Sequence, residues 1–373
     1  MSKRWKIKAV NLFLTLYTRW KGRLKFAQSV SREQDFRHIV IYSTTALGDF
    51  LFNSPAIRAV RLRYPTATIT LVAHEKFREF LQNGEDWDRV VWWNNKFSSM
   101  RTMMKALQEE QGPPDLALLL HSHEPYDYLS AVLAGAQYVI RDNYYDDFDA
   151  RDRWLADYTI GYVGHIIQRK MALVEPLGCD VSDHDMKLPV KLAEPAPRGI
   201  LTVGFQMGAS KPDRCWAPKH FAEVAAALLQ KSDDLRIALI GGPGEKTLVT
   251  DFWQHLDEGL RPRITDYVGN TGLIQLTELI NEFSVLLTGD TGPLHIAIAA
   301  KTPTVSLFVN ANPYSTGPFQ DRHLHDVIYV ARRKSNQHVA NAMDLITPDR
   351  VIEKVSERLE LTALENSHHE VQE

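Results

Sequence analysis

The chain has 373 residues, 44% of them hydrophobic and 24% charged. That balance is ordinary for a globular protein, and the length favours two domains over one. A formal net charge of −3 supplies no overall basic field for nucleic acid, Cys179 and Cys215 alone make neither a disulfide framework nor a zinc site, and no apolar run reaches the length of a membrane span, so a reducing cytoplasm is the expected compartment.

Residues 1–36 read as a basic amphipathic N-terminal extension. Lys3, Arg4, Lys6, Lys8, Arg19, Lys21, Arg23 and Lys25 fall in the first 30 residues, with no acid among them. Between the basic clusters lies a mostly apolar run from Ala9 to Tyr17, flanked by Trp5 and Trp20. Such a segment is a helix lying on an anionic membrane surface, a surface helix packed on the domain behind it, or a frayed tail. It resembles a signal peptide only loosely, because Arg19 to Lys25 stand where a small-residue cleavage site would be.

Residues 37–186 alternate between short apolar runs and helical stretches. Strands are predicted at 38–43, 68–73, 89–93, 115–120 and 137–140, with a helix at 50–63. Alternation of this kind argues for a parallel sheet covered on both faces. Residues 187–199 carry three prolines and no helical period, as a linker does. A second alternating series fills 200–345, with strands at 200–205, 235–240, 285–287 and 304–308 and helices at 217–230, 245–256 and 273–283. A C-terminal helix is expected at 348–361, within a segment 346–363, and could pack back across the hinge; residues 364–373 are polar and read as a disordered tail. The fold class is therefore α/β: two doubly wound Rossmann-like domains, with ligands expected in a cleft between the carboxyl ends of their sheets.

Candidate chemistry falls in loops that follow strands. Asp290-Thr291-Gly292-Pro293-Leu294-His295 reads as a tight polar turn opening a short helix. Its backbone N–H groups would favour an anion, and Pro293 fits the first helical turn, where its missing N–H costs nothing. The choice is between a diphosphate cradle and an ordinary turn with a capping Asp or Thr. Thr44 to Asp49 follows the first strand; Asp49 is either a helix cap or a carboxylate placed as a general base. Ser210, Lys211 and Arg214 stand just before a helix, as phosphate ligands or as solvated loop charges. Gly241-Gly242-Pro243-Gly244-Glu245 lacks the spacing of a P-loop or of a dinucleotide fold. Glu245 could accept from a ribose diol or simply sit in a first helical turn. Val268 to Leu273, with Asn270 and Thr271, is a turn whose backbone could edge a base.

Four of these stretches, in order, resemble glycosyltransferase family 9, the ADP-heptose:lipopolysaccharide heptosyltransferases of GT-B fold. They are Thr45-Ala46-Leu47-Gly48-Asp49 running on to Pro55-Ala56, Gly208 to Trp216, Val268-Gly269-Asn270-Thr271-Gly272-Leu273-Ile274-Gln275, and Thr288-Gly289-Asp290-Thr291-Gly292 to His295 and Ala297. His165 with Arg169 and Lys170 is similar to a weaker element. The likeness covers about residues 37–345.

The resemblance implies that Asp49 is the general base. It implies that Ser210, Lys211, Arg214, Glu245, Asn270, Thr271, Asp290, Thr291, Gly292 and His295 bind the donor. Thr45, Gly48, His121 and His165 would fall on the acceptor side. The implied reaction is an inverting transfer of a heptose or related sugar from an ADP-sugar to a lipopolysaccharide core or other surface-glycan acceptor. No cofactor and no metal are implied, since helix dipoles and Arg can supply the positive field. The acidic run Tyr144 to Asp149 reads as a mobile acceptor loop or a solvated turn. The implied partners are ADP-heptose and a lipid-linked acceptor, with peripheral contact on the inner face of the inner membrane and no nucleic acid. Two departures stand out: the basic extension, and His121-Ser122-His123-Glu124-Pro125 where many members carry an Asp-x-Gln/His-Gly type of segment. Two alternatives remain: a GT-B transferase with another nucleotide-sugar or acceptor, and a non-catalytic nucleotide-binding scaffold.

Overall fold

The structure, a computed structural model, describes residues 3–21, 24, 30–141, 164–195 and 200–370. The acidic run Tyr144 to Asp149 lies outside them. The chain forms two compact units, Met1–Val190 and Lys191–Glu373, divided inside the stretch read as a linker.

The first unit runs α1 (Lys3–Trp20), β1 (His38–Ser43), α2 (Leu47–Arg63), β2 (Thr68–Ala73), α3 (Arg78–Leu81), β3 (Arg89–Trp92), α4 (Phe97–Gln108), β4 (Leu116–His121), α5 (Tyr126–Leu133), β5 (Tyr138–Arg141) and α6 (Ile166–Val174). Its strands pair in parallel in the order β3-β2-β1-β4-β5. Every residue of β1 and β4 is buried, as expected of central parallel strands covered on both faces. Phe36, assigned above to the extension, belongs to this unit's core and meets the rings of Tyr64 and Tyr138. α2 carries Pro55 in its interior, which removes the donor that would reach Leu51. Ser54 compensates: its hydroxyl donates to the Leu51 carbonyl at 2.8 Å and accepts from Lys187 N at 3.1 Å.

The second unit runs β6 (Leu201–Gln206), α7 (Pro218–Lys231), β7 (Leu235–Ile240), α8 (Lys246–Gln254), β8 (Ile264–Asp266), α9 (Leu273–Asn281), β9 (Val285–Gly289), α10 (Gly292–Ala299), β10 (Thr304–Phe308), α11 (Pro313–Thr316), β11 (His325–Tyr329) and α12 (Pro348–Glu370). All pairs are parallel, in the order β11-β10-β9-β6-β7-β8. The two strands that periodicity did not predict, β8 and β11, are the edges, where shortness or exposure erases the apolar signal. Gly204, inside β6, admits the ring of Phe283; a Cβ there would lie 2.3 Å from it.

α12 packs on its own unit. Val351, Val355 and Leu359 join the second core, and Arg358 bonds Asp326 Oδ2 at 2.7 Å and the His323 carbonyl at 2.6 Å. The helix continues to Glu370, past the expected end at 361, because no Gly or Pro follows Pro348 to stop it.

Candidate active site

In a doubly wound sheet the loops leaving two adjacent strands diverge where the strand order reverses, and ligands bind there. In the first unit that point lies between β1 and β4, and Asp49 and His121 stand at it. Asp49 is the third residue of α2, not its N-cap, which is Ala46. Its Oδ2 accepts from Thr45 Oγ1 at 2.6 Å and from Ala46 N at 3.1 Å. The carboxylate thus satisfies an orphan N–H of its helix while its side chain stays 30% exposed. Gly48 is buried in the same turn.

His121 ends β4 and brings Nε2 to 3.7 Å from Asp49 Oδ1. Its other nitrogen, Nδ1, lies 3.1 Å from Asn53 Oδ1, while the Asn53 amide donates to Ser43 Oγ at 2.9 Å. That chain assigns the ring proton to Nδ1 and turns the Nε2 lone pair toward the carboxylate. Burial, then the charges of Lys170 and Arg169, hold the imidazole pKa well below its usual 6.5. Asn95, in the left-handed region at φ 61°, donates to the Thr44 carbonyl at 2.8 Å and pins the loop that carries Thr45. Neither Asn53 nor Asn95 was visible as a site residue in the sequence. His165 is placed as a cap: its Nδ1 accepts from Ile167 N at 3.3 Å at the start of α6, and its ring packs edge-on against Phe52.

The second unit's order reverses between β6 and β9. Gln206, the last residue of β6, organises both departing loops. Its Oε1 accepts from Thr288 Oγ1 at 2.9 Å and Thr291 Oγ1 at 3.0 Å. Its Nε2 donates to the Gly208 carbonyl at 2.7 Å and reaches Glu245 Oε2 at 3.4 Å. Thr291 is the N-cap of α10, with Gly292 and Pro293 opening the helix. Arg214 donates to the Asp290 carbonyl at 2.9 Å and forms an ion pair with the Asp290 carboxylate. His295 Nε2 lies 3.7 Å from the other oxygen of Asp290. Arg214 and His295, both expected on the donor side, meet at Asp290, while Gln206, which gathers the Thr288 and Thr291 hydroxyls, was not among the expected residues.

Glu245 turns inward. Its carboxylate lies against Gly208 and Gly241, where an added Cβ would come within 2.1 Å and 2.2 Å of it. Burial raises its pKa, opposed by hydrogen bonds to Gly242, Gln206 and Gly208. Ser210 and Lys211 are exposed on the loop beyond, which Trp216 anchors by donating from Nε1 to the Ile346 carbonyl at 3.0 Å. Asn270 and Thr271 line a cavity of about 550 Å³ with Tyr267, Gln275 and Leu279. Gly269 before them takes φ 75° and donates to the Gly241 carbonyl at 2.9 Å. Among the described residues no group of three or more His, Cys, Asp or Glu side chains is placed to hold a metal ion.

Residues 154–344 match the family model for glycosyltransferase family 9 (heptosyltransferase). The chain belongs to glycosyltransferase family 9. Among relatives in this family, lipooligosaccharide heptosyltransferase 2 of Campylobacter jejuni is 24% identical over 348 residues, 88% of this chain and 99% of that one. Lipooligosaccharide heptosyltransferase 2 of Haemophilus influenzae is 29% identical over 164 residues; the match spans 42% of this chain and about half, 47%, of that protein. The chain shares its fold with the Escherichia coli ADP-heptose lipopolysaccharide heptosyltransferase II (TM-score 0.70, 22% identity, 87% of this chain and 99% of that one). It shares it also with a glycosyltransferase family 9 protein from Veillonella parvula (TM-score 0.73, 20% identity, 89% and 99%). The two doubly wound units are thus those of a GT-B heptosyltransferase fold.

Proposed function

We propose that this family 9 protein transfers a heptose from ADP-heptose to a lipopolysaccharide-core acceptor at the inner face of the inner membrane, with inversion and without a metal. The observation that carries this reading is the Asp49 carboxylate, part exposed at a switch point and oriented by Thr45 and the Ala46 N–H. The names of the relatives supply the donor and acceptor class.

The roles divide by unit. Asp49 takes the proton from the acceptor hydroxyl as that oxygen attacks the anomeric carbon, and the C–O bond to the diphosphate breaks on the opposite face. A single displacement of this kind inverts the centre. His121 Nε2, beside Asp49, shares the proton that the carboxylate gains. In the second unit the growing charge on the departing ADP falls on Arg214, Lys211 and the N–H groups that open α10. Arg214 exchanges part of its pairing with Asp290 for the diphosphate, which leaves Asp290 to meet the sugar.

The test compares wild type with Asp49→Asn. Transfer of heptose with release of ADP, lost in the variant while donor affinity is kept, supports the reading; anomeric configuration by NMR and turnover in excess chelator decide inversion and metal independence. Wild-type turnover in Asp49→Asn would refute the role of Asp49.

A further inference from the structure

Helix α1 carries two apolar faces, and the first unit uses only one. Leu14 is fully buried in that unit's core, with Val10 and Tyr17 packed against the same cluster. The opposite face is open: Trp5 is 56% exposed, Leu12 65%, Phe13 47%, Leu16 53% and Trp20 86%. These are five of the twelve large hydrophobic residues exposed among the described ones, gathered on one 18-residue helix. At 3.6 residues per turn, Trp5, Ala9, Leu12, Phe13, Leu16 and Trp20 fall within an arc of about 100°. Single exposed apolar residues need no explanation, but a continuous stripe does.

The charges beside the stripe identify its partner. Lys8 and Arg19 border it on one side and Lys6 on the other, all exposed. No acid occurs before Glu33. A surface that is apolar along its centre and purely cationic along its edges matches a bilayer interface, with acyl chains beneath and anionic headgroups around. α1 does not qualify as a membrane span, and no described helix does.

We propose that α1 is a lipid-docking element: its Leu14 face is fixed to the first unit, and its Trp5–Trp20 face lies flat in the headgroup region of an anionic bilayer. The assignment deepens the proposed transfer to a lipid-borne acceptor and rests on it for its purpose, while the docking itself is measured without turnover.

The full chain is sedimented with vesicles of phosphatidylcholine alone or of an equal mixture with phosphatidylglycerol. Binding is expected to the mixture, to be weakened by salt, and to fall roughly fivefold for each of Lys6→Gln, Lys8→Gln and Arg19→Gln. Leu12→Ser/Leu16→Ser should lower it at least about tenfold, since exposed positions leave melting unchanged while the buried lipid-side area is lost. The same variant should keep wild-type transfer to a delipidated acceptor, so that a protein that binds vesicles but transfers no sugar would sink the transferase reading and leave the docking intact. Equal binding to both vesicle types, or none, overturns the proposal. So does self-association of the chain in lipid-free solution that Leu12→Ser/Leu16→Ser abolishes, because a second copy would then be what covers the stripe.

Discussion

Asp49 can serve its helix and the chemistry proposed for it together. It accepts from Ala46 N, which a purely structural carboxylate would also do, and it remains part exposed beside His121. Asp49→Asn keeps the size of the side chain and removes the base, so kcat should fall about 10²- to 10⁴-fold with little change in donor dissociation constant. Steady-state kinetics beside calorimetric titration with ADP measures both. Gln206 makes a different prediction. Gln206→Leu leaves the Thr288 and Thr291 hydroxyls and the Gly208 carbonyl without their shared partner, which should cost about 2 kcal/mol of stability in denaturant unfolding and weaken ADP binding about tenfold. Gly208 lies against Glu245, so Gly208→Ala should weaken ADP binding by displacing that carboxylate, and Glu245→Ala should add little to the loss in that background. The placement of Asp49, Arg214, Asp290, Thr291 and His295 just after strands was legible in the chain. Gln206 was not, because a glutamine ending a strand carries no motif, and its partners stand 82 and 85 residues away.

At the scale of elements, the central strands declared themselves and the edges did not. β1, β4, β6 and β9 are apolar on both faces, and their predicted ranges agree with the structure to within two residues. β11 begins with His325, which a sequence reading has no reason to bury. His325 Nδ1 shares a hydrogen bond of 3.0 Å with Thr304 Oγ1, and Nε2 is buried with no hydrogen-bond partner. Burial lowers its pKa to about 4, helped by Arg358 and His323 and opposed by Asp321. The unfolded chain therefore binds this proton more readily than the folded one. The stabilisation is fully present above pH 6.5 and is lost as the pH falls toward about 4, by roughly 3 kcal/mol over the window. Denaturant unfolding between those pH values should show the loss, and His325→Asn, which keeps an acceptor for Thr304 but cannot titrate, should flatten it. The N-terminal helix teaches a related point: its amphipathic pattern was readable, but that Leu14 enters the core was not. Deleting the whole segment would uncover that core, so substitutions on the outer face are the cleaner probe.

For the whole molecule, the sequence motifs and the strand orders lead to the same two positions. Each unit brings polar side chains to the point where its own strand order reverses: Asp49 and His121 in one, Gln206, Arg214, Asp290 and Thr291 in the other. The proposed heptose rests on the resemblance and on the names of the relatives, not on any described side chain. A donor preference for ADP-heptose over UDP-sugars, read by competition against ADP binding, should accompany the proposed activity. The most direct measurement of the central claim is heptose transfer from ADP-heptose to heptose-deficient lipopolysaccharide by purified wild-type and Asp49→Asn protein, with ADP affinity determined on both. The expected result is transfer by the wild type only, with equal ADP affinity in the two; equal transfer rates, or transfer by neither protein, would contradict it.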